Sequence, residues 1–128
     1  MSAEAPAAPR SMIMVVEDEQ PIRELMQRAL RAQGHSVIVV ASSDEALAAA
    51  ELHPVIHLLI TDVVMRGMNG RELALRLQRS RPDLRVLYVS GYTQQQTGLD
   101  QAGPDVTFLE KPFALHDLLA EVNRLLQR

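Results

Sequence analysis

The residues best suited to chemistry in this sequence are polar groups that directly follow short apolar runs. The run "HLLIT" is followed at once by Asp62 and then by the stretch "VVMRGMNG". An earlier run, "MIMVV", is followed by Glu17 and Asp18, and two later runs end at Ser90 and before Lys111. If these runs are strands of one parallel sheet, their carboxyl ends bring three carboxylates, a hydroxyl and an ammonium to one edge.

This set of groups matches the requirements of phosphoryl transfer to an aspartate. Clustered carboxylates repel one another, and a bound cation relieves that repulsion. Oxygen ligands without His or Cys favour a hard ion, most plausibly Mg²⁺. A hydroxyl and a lysine beside the ion suit the remaining phosphoryl oxygens, and an aspartate can act as the nucleophile that forms an aspartyl phosphate.

Lys111 is the only lysine in the chain, and all other residues of the Lys and Arg class are arginines. A composition biased towards arginine explains the arginine excess, but it does not explain why the single exception follows the fifth apolar run. An ammonium is a compact point charge, whereas a guanidinium imposes a planar fork. We therefore expect Lys111 to neutralise charge at the carboxylate cluster.

Short apolar runs alternate with segments of helical periodicity from residue 12 onward. The runs predict strands at 12–16, 36–40, 55–61, 85–90 and 106–110. Most of them are apolar throughout, which is typical of a parallel sheet covered on both faces by helices. Five helices are predicted between and after the strands. The fourth, in "TQQQTGLDQAG", is expected to be short and mobile because it is polar and contains two glycines.

Capping residues mark where several of these helices begin. Ser42 with Glu45 matches a capping box, and Asn69 with Glu72 resembles a second one. Ala114, by contrast, gives the last helix no capping side chain. The cap at Asn69 predicts a helix soon after the third strand.

The composition favours one small globular domain. The 128-residue chain is 47% hydrophobic, has no cysteine and carries a net charge of −3. The absence of cysteine excludes disulfides, thiolate metal sites and a cysteine nucleophile, and the acidic balance argues against a nucleic-acid partner. No apolar run reaches membrane-spanning length, so no membrane insertion is expected. Residues 1–11 are predicted to be a flexible leader or linker and 12–128 the domain, with the cytoplasm as the expected compartment.

Taken together, the motifs resemble the receiver domain of bacterial two-component response regulators. The resemblance extends over roughly residues 12–127 and is carried by "VVEDE", "ITDVVMRGMNG", "VSGYT" and "FLEKPF". It implies a flavodoxin-like (βα)5 fold, a doubly wound parallel sheet with strand order 2-1-3-4-5. The motif pairing is closest in style to the C-terminal receivers of hybrid histidine kinases and to single-domain response regulators.

The resemblance also implies roles for the acidic residues. Asp62 would be the phosphoacceptor in a two-component or phosphorelay pathway, receiving its phosphoryl group from the phosphohistidine of a histidine kinase or phosphotransfer protein. Mg²⁺ would be held by Glu17, Asp18, Asp62 and the backbone carbonyl of Val64. The domain would promote its own phosphorylation and dephosphorylation without being an enzyme in the usual sense.

The remaining implied roles concern switching and partners. Lys111 would pair with the phosphoryl group, and its peptide bond to Pro112 is expected to be cis. Ser90 and Phe108 would be the switch residues, and they would shift the surface of the fourth helix, fifth strand and fifth helix. A downstream partner protein and a monomeric or weakly dimeric state are expected.

Some residues depart from the pattern of the family. Arg66 stands where the family often has proline, and Phe108 stands where it often has tyrosine. Val64 and Tyr92 lie two positions beyond Asp62 and Ser90, and they lack the acid or amide that could orient a hydrolytic water. A slow loss of the phosphoryl group is therefore expected.

The sequence disfavours three other functions. A Mg²⁺-dependent aspartate-nucleophile phosphatase of the haloacid dehalogenase type would carry a D-x-D pattern after the first strand, which this chain lacks. A flavin- or nucleotide-binding domain would have a glycine-rich loop there. A degenerate receiver that acts only by protein contacts is disfavoured by the intact acidic set.

Overall fold

The computed structural model describes residues 11–103 and 106–127, so the expected leader lies outside the described residues except for Ser11. One sheet contains five parallel strands: β1 Met12–Val16, β2 Ser36–Val40, β3 Leu58–Asp62, β4 Arg85–Ser90 and β5 Thr107–Glu110. Their order is β2-β1-β3-β4-β5, which confirms the flavodoxin-like topology. The order places β3 at the centre and gathers all five carboxyl ends at one edge.

Helices cover both faces of this sheet. They are α1 Gln20–Ala32, α2 Ser43–Leu52, α3 Gly70–Ser80, α4 Gln94–Thr97 and α5 Leu115–Leu126, with a 3₁₀ turn at Leu99–Gln101 after α4. Within the ranges that the structure describes, none of these helices has both the length and the apolar character needed to cross a membrane.

Alternating strand residues fill two separate cores, one on each face of the sheet. Met14 and Leu59 belong to the core under α2 and α3, whereas Ile13 and Ile60 belong to the core under α1 and α5. All five residues of β3 are buried. The central strand that ends at Asp62 is therefore held by packing on both faces.

The strand predictions at 12–16, 36–40 and 85–90 are confirmed residue for residue. The third prediction was wrong in its bounds, because β3 begins at Leu58 and includes Asp62. His57 explains the later start: its Nδ1 accepts the Met12 backbone N–H at 2.9 Å, in place of a backbone carbonyl. The fifth strand begins at Thr107, one residue later than expected.

The caps mostly follow the sequence prediction. Ser42 Oγ accepts the Glu45 N–H at 3.1 Å, although the Glu45 carboxylate takes the N–H of Ala41, one residue earlier than in a full capping box. Asn69 Oδ1 accepts the Glu72 N–H at 2.9 Å. The last helix begins after Ala114 without a side-chain cap, as predicted.

The fourth helix is as short as the sequence indicated. It has four residues and a complete capping box between Thr93 and Gln96. It ends at Gly98, whose φ of 81° lies in the left-handed region that glycine tolerates. Its expected mobility stays a prediction.

Residue 70 must be a glycine because α3 begins directly against the end of β3. The Gly70 N–H donates to the Val63 carbonyl at 2.8 Å. A Cβ at this position would overlap the backbone carbonyl oxygen of Asp62 and would lie 3.1 Å from the Thr61 methyl group. The close approach fixes the distance between α3 and the last residue of β3.

We expect Gly70→Ala to lower the free energy of unfolding by about 2 kcal/mol, because the backbone of Asp62 or of α3 must shift to admit the methyl group. The measurement is urea denaturation monitored by far-UV circular dichroism. Gly91→Ala is the matched control, since a Cβ there would meet nothing within 4 Å. Equal stability of the two variants would contradict the close approach.

Candidate functional site

The structure places the predicted site residues at the carboxyl edge of the sheet. Glu17 and Asp18 directly follow β1, and Asp62 is the last residue of β3. Ser90 is the last residue of β4, and Lys111 directly follows β5. These side chains therefore share one edge of the sheet, as the sequence predicts.

Three carboxylates come together at this edge. Oxygen atoms of Glu17, Asp18 and Asp62 all lie within 4.8 Å of one another. Lys111 lies beside two of them, with Nζ at 2.8 Å from Glu17 Oε1 and at 2.8 Å from Asp62 Oδ1. The arrangement concentrates negative charge around a single ammonium.

Glu17 is held firmly although it is completely buried. Its Oε2 accepts the backbone N–H of Glu19 at 3.0 Å, and its backbone carbonyl accepts a hydrogen bond from Arg23 at 2.8 Å. Its Oε1 accepts no aligned hydrogen bond from the described residues, so the short distance to Lys111 is an ion-pair contact. One buried carboxylate oxygen thus retains capacity for a further ligand.

The backbone around Asp62 is fixed by hydrogen bonds on both sides. Thr61 Oγ1 donates to the Asp62 carbonyl at 2.9 Å, and the Val63 N–H donates to the Val89 carbonyl at 3.1 Å. The loop that follows is tied to α2, because the buried Ser43 hydroxyl donates to the Met68 carbonyl at 2.8 Å. Asp62 therefore projects from a rigid strand end.

Ser90 is connected to Lys111 through the main chain. The Lys111 N–H donates to the Ser90 carbonyl at 2.7 Å. The Ser90 hydroxyl oxygen accepts the backbone N–H of Tyr92 at 3.0 Å. The hydroxyl is buried at the edge, and its observed hydrogen bond holds the β4–α4 loop.

Burial raises the pKa of the Asp62 carboxyl to about 7, and the Glu17 carboxylate adds to the rise, whereas Lys111 opposes it. Burial lowers the pKa of Lys111, but its contacts with Asp62 and Glu17 outweigh that effect and leave the pKa above its ordinary value. The ammonium is therefore permanently charged at neutral pH. Asp62 is the group whose ionisation the site controls.

The side chains of the other predicted residues are not part of this cluster. The side chains of Val64 and Tyr92 are 55% and 53% exposed. Phe108 is half-buried against the core under α2 and α3. Arg66 is exposed, and nothing in the structure explains its presence. The cis peptide bond between Lys111 and Pro112 is confirmed.

Sequence reasoning missed the residues that position the site. Arg23, Ser43 and Gly70 each contact the backbone of a site residue or of the loop after Asp62. Ser43 is next to a capping residue and Gly70 starts a helix. These local positions already account for their residue types, so the sequence offers no separate reason to assign them long-range contacts. For Gly70 a signal existed, because a glycine at the first position of a helix has no propensity advantage.

The donor set fits a hard divalent cation. The clustered atoms are all carboxylate oxygens, one buried oxygen lacks an aligned hydrogen bond, and Asp18 is exposed enough to admit ligands from solvent. Mg²⁺ prefers oxygen ligands and uses one or two carboxylates together with waters or phosphate oxygens. Glu17, Asp18 and Asp62 could hold such an ion and a phosphoryl group at once.

Comparison with known proteins agrees with this geometry. The family model of the response regulator receiver domain matches residues 13–123. The response regulator receiver protein CpdR of Brucella abortus is 33% identical over 89% of this chain and 95% of its own length. The sensor kinase CckA of the same species is 35% identical over 91% of this chain, which spans only 12% of that kinase.

Solved structures give the same result. The receiver domain from the hybrid histidine kinase CckA has a TM-score of 0.78 at 35% identity, covering 91% of this chain and all of that domain. The response regulator TrrA of Thermotoga maritima, crystallised in complex with Mg²⁺–BeF, has a TM-score of 0.77 at 27% identity, covering 90% of this chain and 98% of its own. On its fold, its acidic edge and these matches, the chain belongs to the response regulator receiver domain family.

Proposed function

We propose that Asp62 accepts a phosphoryl group from the phosphohistidine of a histidine kinase or phosphotransfer protein. One carboxylate oxygen of Asp62 attacks phosphorus while the bond between phosphorus and the histidine nitrogen breaks. The electron pair of that bond stays on the imidazole, which takes up a proton. The product is an aspartyl phosphate on β3.

The observation that carries this proposal is the position of Lys111 Nζ, 2.8 Å from both Glu17 Oε1 and Asp62 Oδ1. Phosphoryl transfer needs mainly positioning and charge neutralisation. A lysine in this position can neutralise first the Asp62 carboxylate and then the incoming phosphoryl oxygens. The rigid end of β3 supplies the positioning.

Glu17, Asp18, Asp62 and the Val64 backbone carbonyl are the proposed Mg²⁺ ligands. Bound there, the ion would offset the charge of the carboxylates and of the phosphoryl oxygens. Glu17 Oε1 supports this assignment, because it is buried and its only described partner is the ammonium of Lys111. A nearby cation also favours ionised Asp62, the form that can attack phosphorus.

Switching is proposed to run from Ser90 and Phe108 to the surface formed by α4, β5 and α5. Ser90 would turn its hydroxyl from the Tyr92 N–H towards the phosphoryl group. Phe108 would then change its packing, and it has no hydroxyl to contribute. Since Val64 and Tyr92 bring no acid or amide to the site, the phosphoryl group is proposed to be lost slowly.

The proposed setting is two-component or phosphorelay signalling in the cytoplasm, with a downstream protein partner and a monomeric or weakly dimeric domain. Residues 12–128 are the proposed extent of the domain. The similarity to CpdR supports a single-domain regulator, and the similarity to the CckA receiver supports a receiver joined to a kinase. The proposal includes either arrangement.

A small phosphodonor provides the direct test. With Mg²⁺ and acetyl phosphate, the wild-type protein should gain one phosphoryl group in intact mass and lose it with hydroxylamine, as an acyl phosphate does. Asp62→Asn should gain none. Asp100→Asn, at an exposed aspartate of the 3₁₀ turn, should behave like wild type. Equal modification of Asp62→Asn and wild type would refute the proposed acceptor.

The raised pKa of Asp62 gives a second prediction, for protein in EDTA. Because the folded-state pKa of about 7 exceeds the ordinary 3.8, the folded protein holds a proton that the unfolded chain releases. The resulting stability is present at low pH and is lost as the pH rises through about 7. Asp62→Asn should therefore stabilise the fold by roughly 1–3 kcal/mol above that pH and by little near pH 4.

Urea denaturation across this pH range measures the difference. Added Mg²⁺ should raise the stability of wild type and reduce the advantage of Asp62→Asn, because the ion binds only an intact acidic set. The exposed Asp100→Asn variant should not differ from wild type at any pH. If Asp62→Asn were less stable than wild type above pH 7, the prediction would be wrong, because burial would then not disfavour the ionised Asp62 carboxylate.

Lys111→Arg tests whether the site needs the compact charge of an ammonium group. The variant should fold, but it should accept phosphoryl groups roughly ten-fold more slowly, because a planar fork cannot occupy the position of Nζ between two carboxylates. The rate of phosphorylation by acetyl phosphate measures the effect. Arg76→Lys, an exchange at an exposed α3 position, is the control. Wild-type kinetics for Lys111→Arg would contradict the role of the ammonium.

A further inference from the structure

Arg23 places a positive charge beside the acidic loop that follows β1. The loop consists of Glu17, Asp18 and Glu19, and α1 begins directly after it. Arg23 lies in the first turn of α1 and is half-buried, and its Nη1 donates to the Glu17 backbone carbonyl at 2.8 Å. By its charge alone, a guanidinium next to these acids opposes the binding of a cation. The contact with the main chain must therefore serve a different purpose.

The acidic loop needs contacts that hold it in place. Its three residues are successive acids, and repulsion among their carboxylates works against an ordered arrangement. The Glu17 N–H donates to the Val40 carbonyl at 3.1 Å, and Glu17 Oε2 accepts the Glu19 N–H within the loop itself. Glu19, at the start of α1, forms no capping hydrogen bond with its side chain. The charge-assisted hydrogen bond from Arg23 ties the main chain of this loop to α1.

The peptide unit that Arg23 contacts joins two of the proposed metal ligands. Because a peptide unit is planar, a hydrogen bond to the Glu17 carbonyl orients the plane that contains the Cα atoms of both Glu17 and Asp18. α1 is anchored in the core by Met26 and Leu30, which are completely buried. Arg23 thus links the fixed position of α1 to both acidic side chains.

Lys111 contacts the same loop in a different way. Its Nζ lies 2.8 Å from carboxylate oxygens of Glu17 and Asp62, and in the proposed transfer it also neutralises the phosphoryl oxygens. Arg23 contacts a backbone carbonyl instead of a reacting group. Its hydrogen bond can therefore persist when the charges of the site change.

We propose that Arg23 is a positioning residue for the metal site, holding the Glu17 and Asp18 carboxylates at the spacing that a divalent cation requires. This role rests on the Mg²⁺ site proposed above. It predicts an effect opposite in sign to that of charge alone. Removing a positive charge near the acids should tighten cation binding, whereas losing the positioning contact should weaken it.

Arg23→Met keeps the apolar stem of the side chain and removes both the donor and the charge. In Mg²⁺ titrations followed by ¹H–¹⁵N NMR, this variant should bind the ion roughly ten-fold more weakly than wild type. Arg23→Lys should recover most of the affinity, because an ammonium also donates to a carbonyl. Arg28→Met, at an exposed position of the same helix, is the matched control for the lost charge and should not weaken binding.

Amide hydrogen exchange in EDTA gives a second measurement that requires no metal. The Glu17 N–H should exchange roughly ten-fold faster, relative to the Leu30 N–H, in Arg23→Met than in wild type, because the loop loosens while α1 stays packed. An equal change at both amides would indicate a general loss of stability and would overturn the proposal.

The titrations also separate this role from the proposed metal site itself. If wild type showed no saturable Mg²⁺ binding, the metal site would be wrong and the role of Arg23 with it. If wild type bound Mg²⁺ and Arg23→Met bound it equally well or more tightly, the role of Arg23 alone would be refuted. Failure of Arg23→Lys to recover affinity would also count against the hydrogen bond.

Discussion

The constraint around which the rest of the structure is organised is the close approach of two buried carboxylates, Glu17 and Asp62, to one ammonium. A buried ion pair of this kind contributes little net stability, because desolvation offsets the attraction between the charges. The raised pKa of Asp62 shows that, for this carboxylate, the attraction of Lys111 does not outweigh the desolvation and the repulsion by Glu17. Such a cluster persists only because the two apolar cores on either face of the sheet hold the strand ends in place. The fold stabilises the site, and the site does not stabilise the fold.

The segment after Asp62 is fixed at both ends and exposed in the middle. Its start is fixed by the Val63 hydrogen bonds to Val89 and Gly70, and its end is fixed by Ser43 bonding to the Met68 carbonyl. Between these anchors Val64 is more than half exposed. The Asp62 carboxylate is thus held by backbone geometry, while the surface beside it stays open, as the proposed transfer from a phosphohistidine requires.

Local pattern was sufficient to predict most of the framework. Apolar runs located the strands, and the position of the only lysine after an apolar run identified Lys111 as part of the charged edge. The pattern failed where a distant group decides the outcome. β3 begins late because the His57 imidazole takes the Met12 N–H. Ser43 contacts a carbonyl 25 residues away, a relation that no periodicity encodes.

β4 connects the acidic edge of the sheet to the core under α3. Ser90 ends the strand at the acidic edge, and Tyr88 lies two residues earlier, so both side chains point to the same face of the sheet. Tyr88 pairs across the ladder with Phe108, the residue that stands where a tyrosine is common in the family. In this chain the phenolic hydroxyl of that layer therefore belongs to β4, where it meets Arg71. Through Ser90 and Tyr88, one strand therefore contacts both the β4–α4 loop and α3.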